Sequence, residues 1–380
     1  MGRNILLVEN SGEDFYKSRL RYARFLQEHG WNVFVLVPTD GYDNLIRKDG
    51  ITVFTYQLNR NRNWFSQVIK IIGVYRNIFG HTQIDIVHSF RFLPNVINVL
   101  TSILSRRRVI IHVTGLGIVY SHKGIKYVFY RHVSNIIYFF LICFSSKTIV
   151  QNPDDLEDLV FFNFMRSRML LVRGSGIDTA WFDVQKMDRE ALRTHFKIQS
   201  GEVVFICVTR LIWEKGIAEL VSAFRRINGS NNKVKLLIVG SPDLDNPRHV
   251  SPEYMSEAGK HRNIFFYGKR DDIRELLAAA DVFVYPSYYR EGIPRSVLEA
   301  LSMSLPIITT DMPGCKMTVI NGSNGMLIKE RSDDAICSAV DSLLASPDKL
   351  SVMRKESRNA ALSFFADNII YNEIETAYRN

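Results

Sequence analysis

Two stretches in the second half of the chain bring charged residues to points where a strand pattern gives way to a helical one. The first is Tyr285-Pro-Ser-Tyr-Tyr-Arg-Glu-Gly-Ile-Pro-Arg-Ser-Val-Leu-Glu-Ala300. It follows a strand pattern and opens a helical one, with Pro294 suited to the first helical position. A helix N-terminus offers amide N–H groups and a partial positive charge, so it can hold an anion such as a diphosphate. Glu291 stands just before those amides, and Glu299 follows at an E-x7-E spacing. A carboxylate accepts hydrogen bonds from neighbouring hydroxyls. The two glutamates therefore suit two sugars, a transferred one and a nucleotide ribose. By chance alone the same spacing arises from a surface glutamate and a helix-capping one. The second stretch is Thr209-Arg-Leu-Ile-Trp-Glu-Lys-Gly216. Arg210 and Lys215 would aim two cations at a departing nucleoside diphosphate, and fixed cations stabilise the charge that develops there. Arginine holds phosphate through two parallel hydrogen bonds. Taken alone, the pair reads as solvated surface cations.

Such residues need strands and helices to carry them. Apolar strand patterns stand at residues 3–8, 32–37, 52–56, 84–88, 109–113 and 148–151. Helical patterns lie between them, at 15–29, 64–79, 94–104, 125–142 and 153–164. Strands alternating with helices predict βαβ units and a parallel, doubly wound sheet. A glycine-rich hinge, Val172-Arg-Gly-Ser-Gly-Ile-Asp178, follows. The alternation then restarts, with strands at 203–208, 236–239, 264–267, 282–285 and 307–309 and helices at 216–227, 271–280, 294–303 and 333–344. From about Pro347 the pattern is helical only. The expected architecture is α/β: two Rossmann-like domains, 1–175 and 176–380, facing each other across a cleft, with the final helix free to cross back to the first. Ligands of such sheets bind beyond the carboxyl ends of the strands.

The composition is that of an ordinary globular protein, 46% hydrophobic and 23% charged, which argues against disorder. The start, MGRNILLVEN, lacks the length and cleavage site of a signal peptide. The longest uncharged stretch, Val133 to Ser146, is too short for a bilayer span. Four scattered cysteines form no CxxC pair, so neither a zinc site nor a disulfide framework is implied, and a reducing cytoplasm fits best. The net charge of +9 is uneven. Residues 51–150 hold twelve Lys or Arg and one acid, Asp85. A face like that suits a membrane surface, a phosphorylated lipid or a nucleic acid, or is simply a soluble basic surface. Within it, Arg106-Arg-Arg108 and Lys123–Phe144 join cations to Tyr127, Phe129, Tyr130, Tyr138, Phe139 and Phe140. That combination predicts peripheral binding to anionic membrane, weakened when the three arginines become serine. The aromatic run reads equally as the buried face of a core helix.

Three segments occur in one order: Arg210-Leu-x3-Lys-Gly216, the Glu291/Glu299 pair, and Thr309-Thr-Asp-Met-Pro-Gly-Cys315. With the turn Asn321-Gly-Ser-Asn-Gly325, this set resembles family 4 of the retaining glycosyltransferases, which have the GT-B fold. In the first half, Asp85-Ile-Val-His-Ser-Phe-x3-Pro94 and Val113-Thr-Gly-Leu-Gly117 look like a narrower subgroup. Its members extend undecaprenyl-diphosphate-linked saccharides, as the bacterial N-acetylgalactosaminyltransferases do. The resemblance implies a retaining, metal-independent hexosyltransferase with a UDP-sugar donor and a lipid-diphosphate-linked saccharide acceptor. It implies a place in the cytoplasm, peripheral on the inner face of the plasma membrane, with no nucleic-acid partner.

Carried over residue by residue, Arg210 and Lys215 hold the donor diphosphate. Glu291 contacts the donor sugar, with Gly292, Ile293, Pro294 and Arg295 supplying the backbone beside it, where every residue but Pro294 offers an amide N–H. Glu299 binds the ribose, and the 268–270 loop with Arg270 lies beside the base. Gly12 belongs to a loop facing the donor phosphates. Where relatives often carry an acid two residues after Gly-Cys, this chain has Met317, and no polar role is expected there. Replacing Lys215 or Glu291 by Ala is expected to remove most activity and leave the fold intact.

Asp243-Leu-Asp245 has the D-x-D spacing of metal-dependent glycosyltransferases but stands in a proline-rich loop away from the donor motifs, so no metal is expected. His88 and His112 fall at strand ends, where catalytic groups are found; His112, beside the glycine loop, is the candidate, against the plainer reading of a structural histidine. Two rivals remain. A GT-B epimerase would act on the same nucleotide sugar without an acceptor. A non-catalytic basic module would bind lipid or nucleic acid, but the Arg210, Lys215, Glu291 and Glu299 set argues against it.

Overall fold

A computed structural model describes residues 3–57, 64–103, 105, 107–230, 233–244 and 246–379. The chain divides into two units: Met1–Ser175 with Ile370–Asn380, and Gly176–Ile369. The boundary falls inside the glycine-rich hinge, where Gly174 and Gly176 both have positive φ.

The first unit is one all-parallel sheet. Its strands are β1 (Arg3–Val8), β2 (Trp31–Pro38), β3 (Thr52–Tyr56), β4 (Ile86–Phe90), β5 (Arg108–Val113), β6 (Lys147–Val150) and β7 (Met169–Leu171). Their order is β3-β2-β1-β4-β5-β6-β7. The second unit has β8 (Val203–Val208), β9 (Val234–Val239), β10 (Ile264–Phe266), β11 (Val282–Tyr285), β12 (Ile307–Thr310) and β13 (Gly325–Ile328). Their order is β10-β9-β8-β11-β12-β13, again all parallel. Both sheets follow the doubly wound 3-2-1-4-5-6 order, with one strand added to the first. In each the order reverses between the first and fourth strands, which puts the switch points at β1/β4 and β8/β11.

The strands are runs of Val, Ile and Leu because both faces are covered. Alternate side chains enter different cores: Ile5 and Leu7 pack with Phe15 and Trp31, while Leu6 and Val8 pack with Leu36 and Tyr75. In the second unit Val204 and Ile206 join one core, and Phe205 and Cys207 the other. The last helix, Asp367–Arg379, buries Ile370, Ile374 and Tyr378 in the first unit's core. Glu375 accepts from Trp31 Nε1 at 3.0 Å.

Several expectations change. The helix predicted over 15–29 breaks into Gly12–Ser18 and Leu20–Glu28 at Arg19, whose guanidinium turns inward to 4.3 Å from the Phe90 ring. β7 and β13 are additional strands, of three and four residues. Of the 106–108 arginines, the two described are half-buried and bonded to backbone. Arg106 lies outside the described residues. Arg107 donates to Ile84 O at 3.1 Å and stacks on Phe79. Arg108 donates to Tyr378 O at 2.8 Å and Ala377 O at 3.2 Å. Both arginines hold the amino edge of the sheet together.

Candidate active site

β8 and β11 are neighbours at the switch point of the second sheet, so the loops that follow them lie side by side. After β8 the chain makes a short turn, Trp213–Lys215, closed by Gly216 at φ 73°. A Cβ on Gly216 would sit 2.3 Å from Pro286 O in the loop after β11, so the close approach needs glycine. Glu214 O accepts the amides of Tyr288 at 2.9 Å and Tyr289 at 3.1 Å, latching the two loops.

This latch brings Lys215 to Glu291. Lys215 Nζ lies 2.8 Å from both Glu291 carboxylate oxygens and donates to the Tyr285 hydroxyl at 2.7 Å. The Tyr285 hydroxyl donates in turn to Glu291 Oε1 at 3.0 Å, and Ser287 Oγ donates to the same oxygen at 3.1 Å. The ammonium also lies 5.1 Å from the Tyr285 ring and 5.2 Å from that of Tyr289, within cation–π range. The Lys215 side chain is 4% exposed and that of Glu291 18%. Burial, and then the Glu291 carboxylate, push the Tyr285 phenol well above its ordinary pKa, so it stays an O–H donor. β12 supports the arrangement from the next position in the sheet: Thr309 Oγ1 donates to Tyr285 O at 2.7 Å, and Thr310 Oγ1 donates to Ser287 O. Tyr285 and Ser287 thus orient Glu291, a role that spacing alone did not reveal.

The remaining donor-site candidates stand in pairs. Arg295 Nε donates to Glu299 Oε1 at 3.0 Å. Arg270 grips Asp272 with two nitrogens, Nε at 2.7 Å. Arg210, 61% exposed, reaches the Asp243 carboxylate at 3.3 Å, while Asp245 is outside the described residues. Pro294 is the N-cap of the helix Arg295–Ser302 and not its first helical residue, because its ψ of 121° is extended. Its carbonyl accepts from Val297 N and Leu298 N. The amides of Arg295 and Ser296 therefore open the helix with no earlier turn to bond. Ile293 is buried, and Gly292 O faces Gly314 closely.

In the first unit, Gly12 N donates to Asp40 Oδ2 at 2.7 Å. Arg91, at φ 73° just after β4, meets Asp14 at 2.6 Å and the buried Glu9 at 3.3 Å. His112 is fully buried on β5 and stacks on His88 at 5.6 Å between ring centres. His112 Nε2 lies 3.1 Å from Gln151 Nε2, and His88 Nδ1 lies 2.5 Å from the Tyr378 hydroxyl. Burial, followed by the Arg19 charge, holds both imidazoles well below their ordinary pKa, so both are neutral in the folded state. The unfolded chain therefore binds more protons below about pH 6.5, and stability falls there with decreasing pH. The slope reaches about 1.4 kcal/mol per pH unit for each histidine only well below pH 6.5, so the pair together contributes about 3 kcal/mol between pH 7.5 and 5.5. Denaturant titrations from pH 7.5 down to 5.5 are expected to show a steep loss. A flat profile would mean that the pair accepts protons without unfolding.

Two family models divide the chain between them: "Glycosyl transferase 4-like" matches residues 4–152, and "Glycosyl transferases group 1" matches residues 188–360. The chain is a glycosyltransferase made of a 4-like and a group 1 domain. This glycosyltransferase is 27% identical over 370 residues to the N,N'-diacetylbacillosaminyl-diphospho-undecaprenol alpha-1,3-N-acetylgalactosaminyltransferase of Campylobacter jejuni, covering 96% of this chain and 95% of that one. It is 25% identical to the UDP-Gal:alpha-D-GlcNAc-diphosphoundecaprenol alpha-1,3-galactosyltransferase of Escherichia coli, with 87% of each chain covered. Among solved structures, a glycosyltransferase from Rickettsia africae superposes with a TM-score of 0.81 at 17% identity, over 100% of this chain and 98% of that one. Anabaena HepE in complex with UDP gives 0.79 at 17%, over 99% of both. The fold is GT-B.

Proposed function

We propose that this glycosyltransferase moves a hexose or N-acetylhexosamine from a UDP-sugar to a polyprenyl-diphosphate-linked saccharide, with retention at the sugar carbon. The observation that carries the reading is the Lys215–Glu291 pair at the β8/β11 switch point, a nearly buried cation and an oriented carboxylate side by side. Lys215, Arg210 and the first-turn amides at Arg295 take the donor diphosphate. Glu291 keeps lone pairs for the donor sugar hydroxyls. Glu299 turns from Arg295 to the ribose, and Arg270 lies beside the base.

In the transfer, the bond from the sugar C1 to the diphosphate oxygen breaks as the acceptor oxygen bonds C1 on the same face. The acceptor proton passes to the leaving diphosphate, and Lys215 stabilises the charge gathered there. The two related transferases are named for α-1,3 linkages, and an α-linked donor giving an α product is retention. Both are named for acceptors on undecaprenyl diphosphate. Such an acceptor stays in the bilayer, which supports the reading of an enzyme working at the cytoplasmic face of the plasma membrane without a nucleic-acid partner.

The test is a panel of labelled UDP-sugars against short lipid-diphosphate saccharides, with the product anomer read by NMR. An α-linked product supports the proposal. An inverted product, or conversion of the donor without acceptor, overturns it, the latter in favour of an epimerase. Transfer is also expected to persist in excess chelator, because Lys215, Arg210 and the helix start neutralise the diphosphate, and Asp243 is bonded to Arg210. Complete loss, restored by magnesium or manganese, would make Asp243 and Asp245 metal ligands instead.

A further inference from the structure

On an ordinary surface helix the most exposed line of side chains is polar. On the helix Ile125–Phe144 it is apolar. Ile125, Phe129, Val133, Ile136, Phe140 and Phe144 recur at three- and four-residue spacing, and each is at least 41% exposed. The opposite side packs Tyr138, Leu141 and Ile142 against Val109, Ile111 and Val113 of β5. Phe162, more than half exposed, widens the apolar face from the next helix pair, 5.8 Å from Phe139. Soluble monomers rarely expose so continuous a patch.

Along this helix and the chain leading into it the charge has one sign, and the acids begin only on the next helix, where Glu157 pairs with Arg166. No Asp or Glu occurs from residue 86 to 153. Lys123 and Lys126 are exposed at the start of the helix, where the helix dipole disfavours cations. Their position is therefore unexplained by the stability of the helix. β5 ends at Val113, and the 114–124 segment leads from it into the helix. The cationic end thus stands at the carboxyl edge of the sheet, the edge where ligands of such folds bind.

We propose that this face docks on an anionic lipid bilayer, with the helix lying in the headgroup region. Aromatic and aliphatic side chains enter the acyl boundary while the lysines meet lipid phosphates. The helix has the length and composition to span a membrane. Spanning, however, would strip Tyr138, Leu141 and Ile142 from β5, so it lies along the surface. A second copy on the same face would set lysine-bearing helices together with no carboxylate on either helix to receive them.

Flotation of the full chain with phosphatidylglycerol/phosphatidylethanolamine vesicles tests this. No sugar donor or acceptor is present, so the outcome is independent of the proposed reaction. The wild type is expected to float at low salt and less so at high salt. Phe129→Ser/Phe140→Ser is expected to lower partitioning at least about tenfold, and Lys123→Ser/Lys126→Ser about thirty-fold at low salt. Val352→Ser, which removes an exposed apolar side chain in the second unit, is expected to change nothing. Unchanged melting temperatures confirm that each variant is folded. A wild type that stays unbound overturns the proposal, as does flotation insensitive to either double variant. So does light scattering in which Phe129→Ser/Phe140→Ser turns a dimer into a monomer while flotation persists, since the occupant is then a second copy.

Discussion

Lys215→Ala is expected to lower kcat about 10²- to 10³-fold, the usual effect of removing a charge contact made in the transition state, with the protein still folded. Glu291→Ala is expected to lose as much activity and also stability, for a reason visible only in the structure. Lys215 is 4% exposed, and Glu291 is its carboxylate partner in the loop after β11. Removing one partner of a buried pair costs about 3–5 kcal/mol. With Glu291 itself 18% exposed, the lower end applies, a fall of about 6–12 °C in melting temperature for a unit of this size. Lys215→Ala is milder, because Tyr285 and Ser287 still donate to Glu291. Both alanine variants are therefore expected to fold, with Glu291→Ala the less stable of the two. Glu291→Gln keeps the shape and removes the charge. Lys215→Met/Glu291→Leu is expected to recover the melting temperature while activity stays lost, separating the pair's two roles. Near-normal turnover in a well-folded Glu291→Gln protein would remove Glu291 from the donor site.

The architecture was legible because strands buried on both faces are unbroken apolar runs, and β8 appears in the sequence with the bounds it has in the fold. What was not legible depends on partners distant in the chain. Lys215 and Glu291 could be singled out by type and by resemblance. Their mutual ion pair could not, because they are 76 residues apart and meet only through the order of β8 and β11. In the sequence Tyr285 is simply the last apolar residue of a strand. Its hydroxyl matters only because the strand ends beside Lys215. His112 was drawn toward catalysis by its strand-end position, and the fold puts its ring in the core beside His88. The helix Ile125–Phe144 carries apolar residues on both its sides, so its sequence does not mark which side meets the sheet. Only packing separates the face on β5 from the one left in water.

Gly314→Ala is expected to damage the candidate site although Gly314 itself is assigned no contact with the donor. Gly314 follows β12, and a Cβ there would sit 1.5 Å from Gly292 O and 2.6 Å from Glu291 O. Those atoms are backbone, so no rotamer change relieves the contact. The segment carrying Glu291 must move away, and Glu291 is held at 2.8 Å from Lys215 by that same backbone. A misplacement of about 1 Å in such a constellation costs about 10²-fold in rate. Overpacking of this kind costs about 1–3 kcal/mol, or about 2–12 °C in melting temperature. The two readouts separate the causes. Steady-state kinetics below the melting transition give the loss from geometry, and calorimetry gives the loss of stability. Wild-type turnover at an unchanged melting temperature would show that the loop yields freely and that Gly314 does not set the position of Glu291. A rate loss that second-site changes elsewhere in the unit cannot restore, even when they raise the melting temperature to its original value, would show that the glycine serves placement of Glu291 and not stability alone.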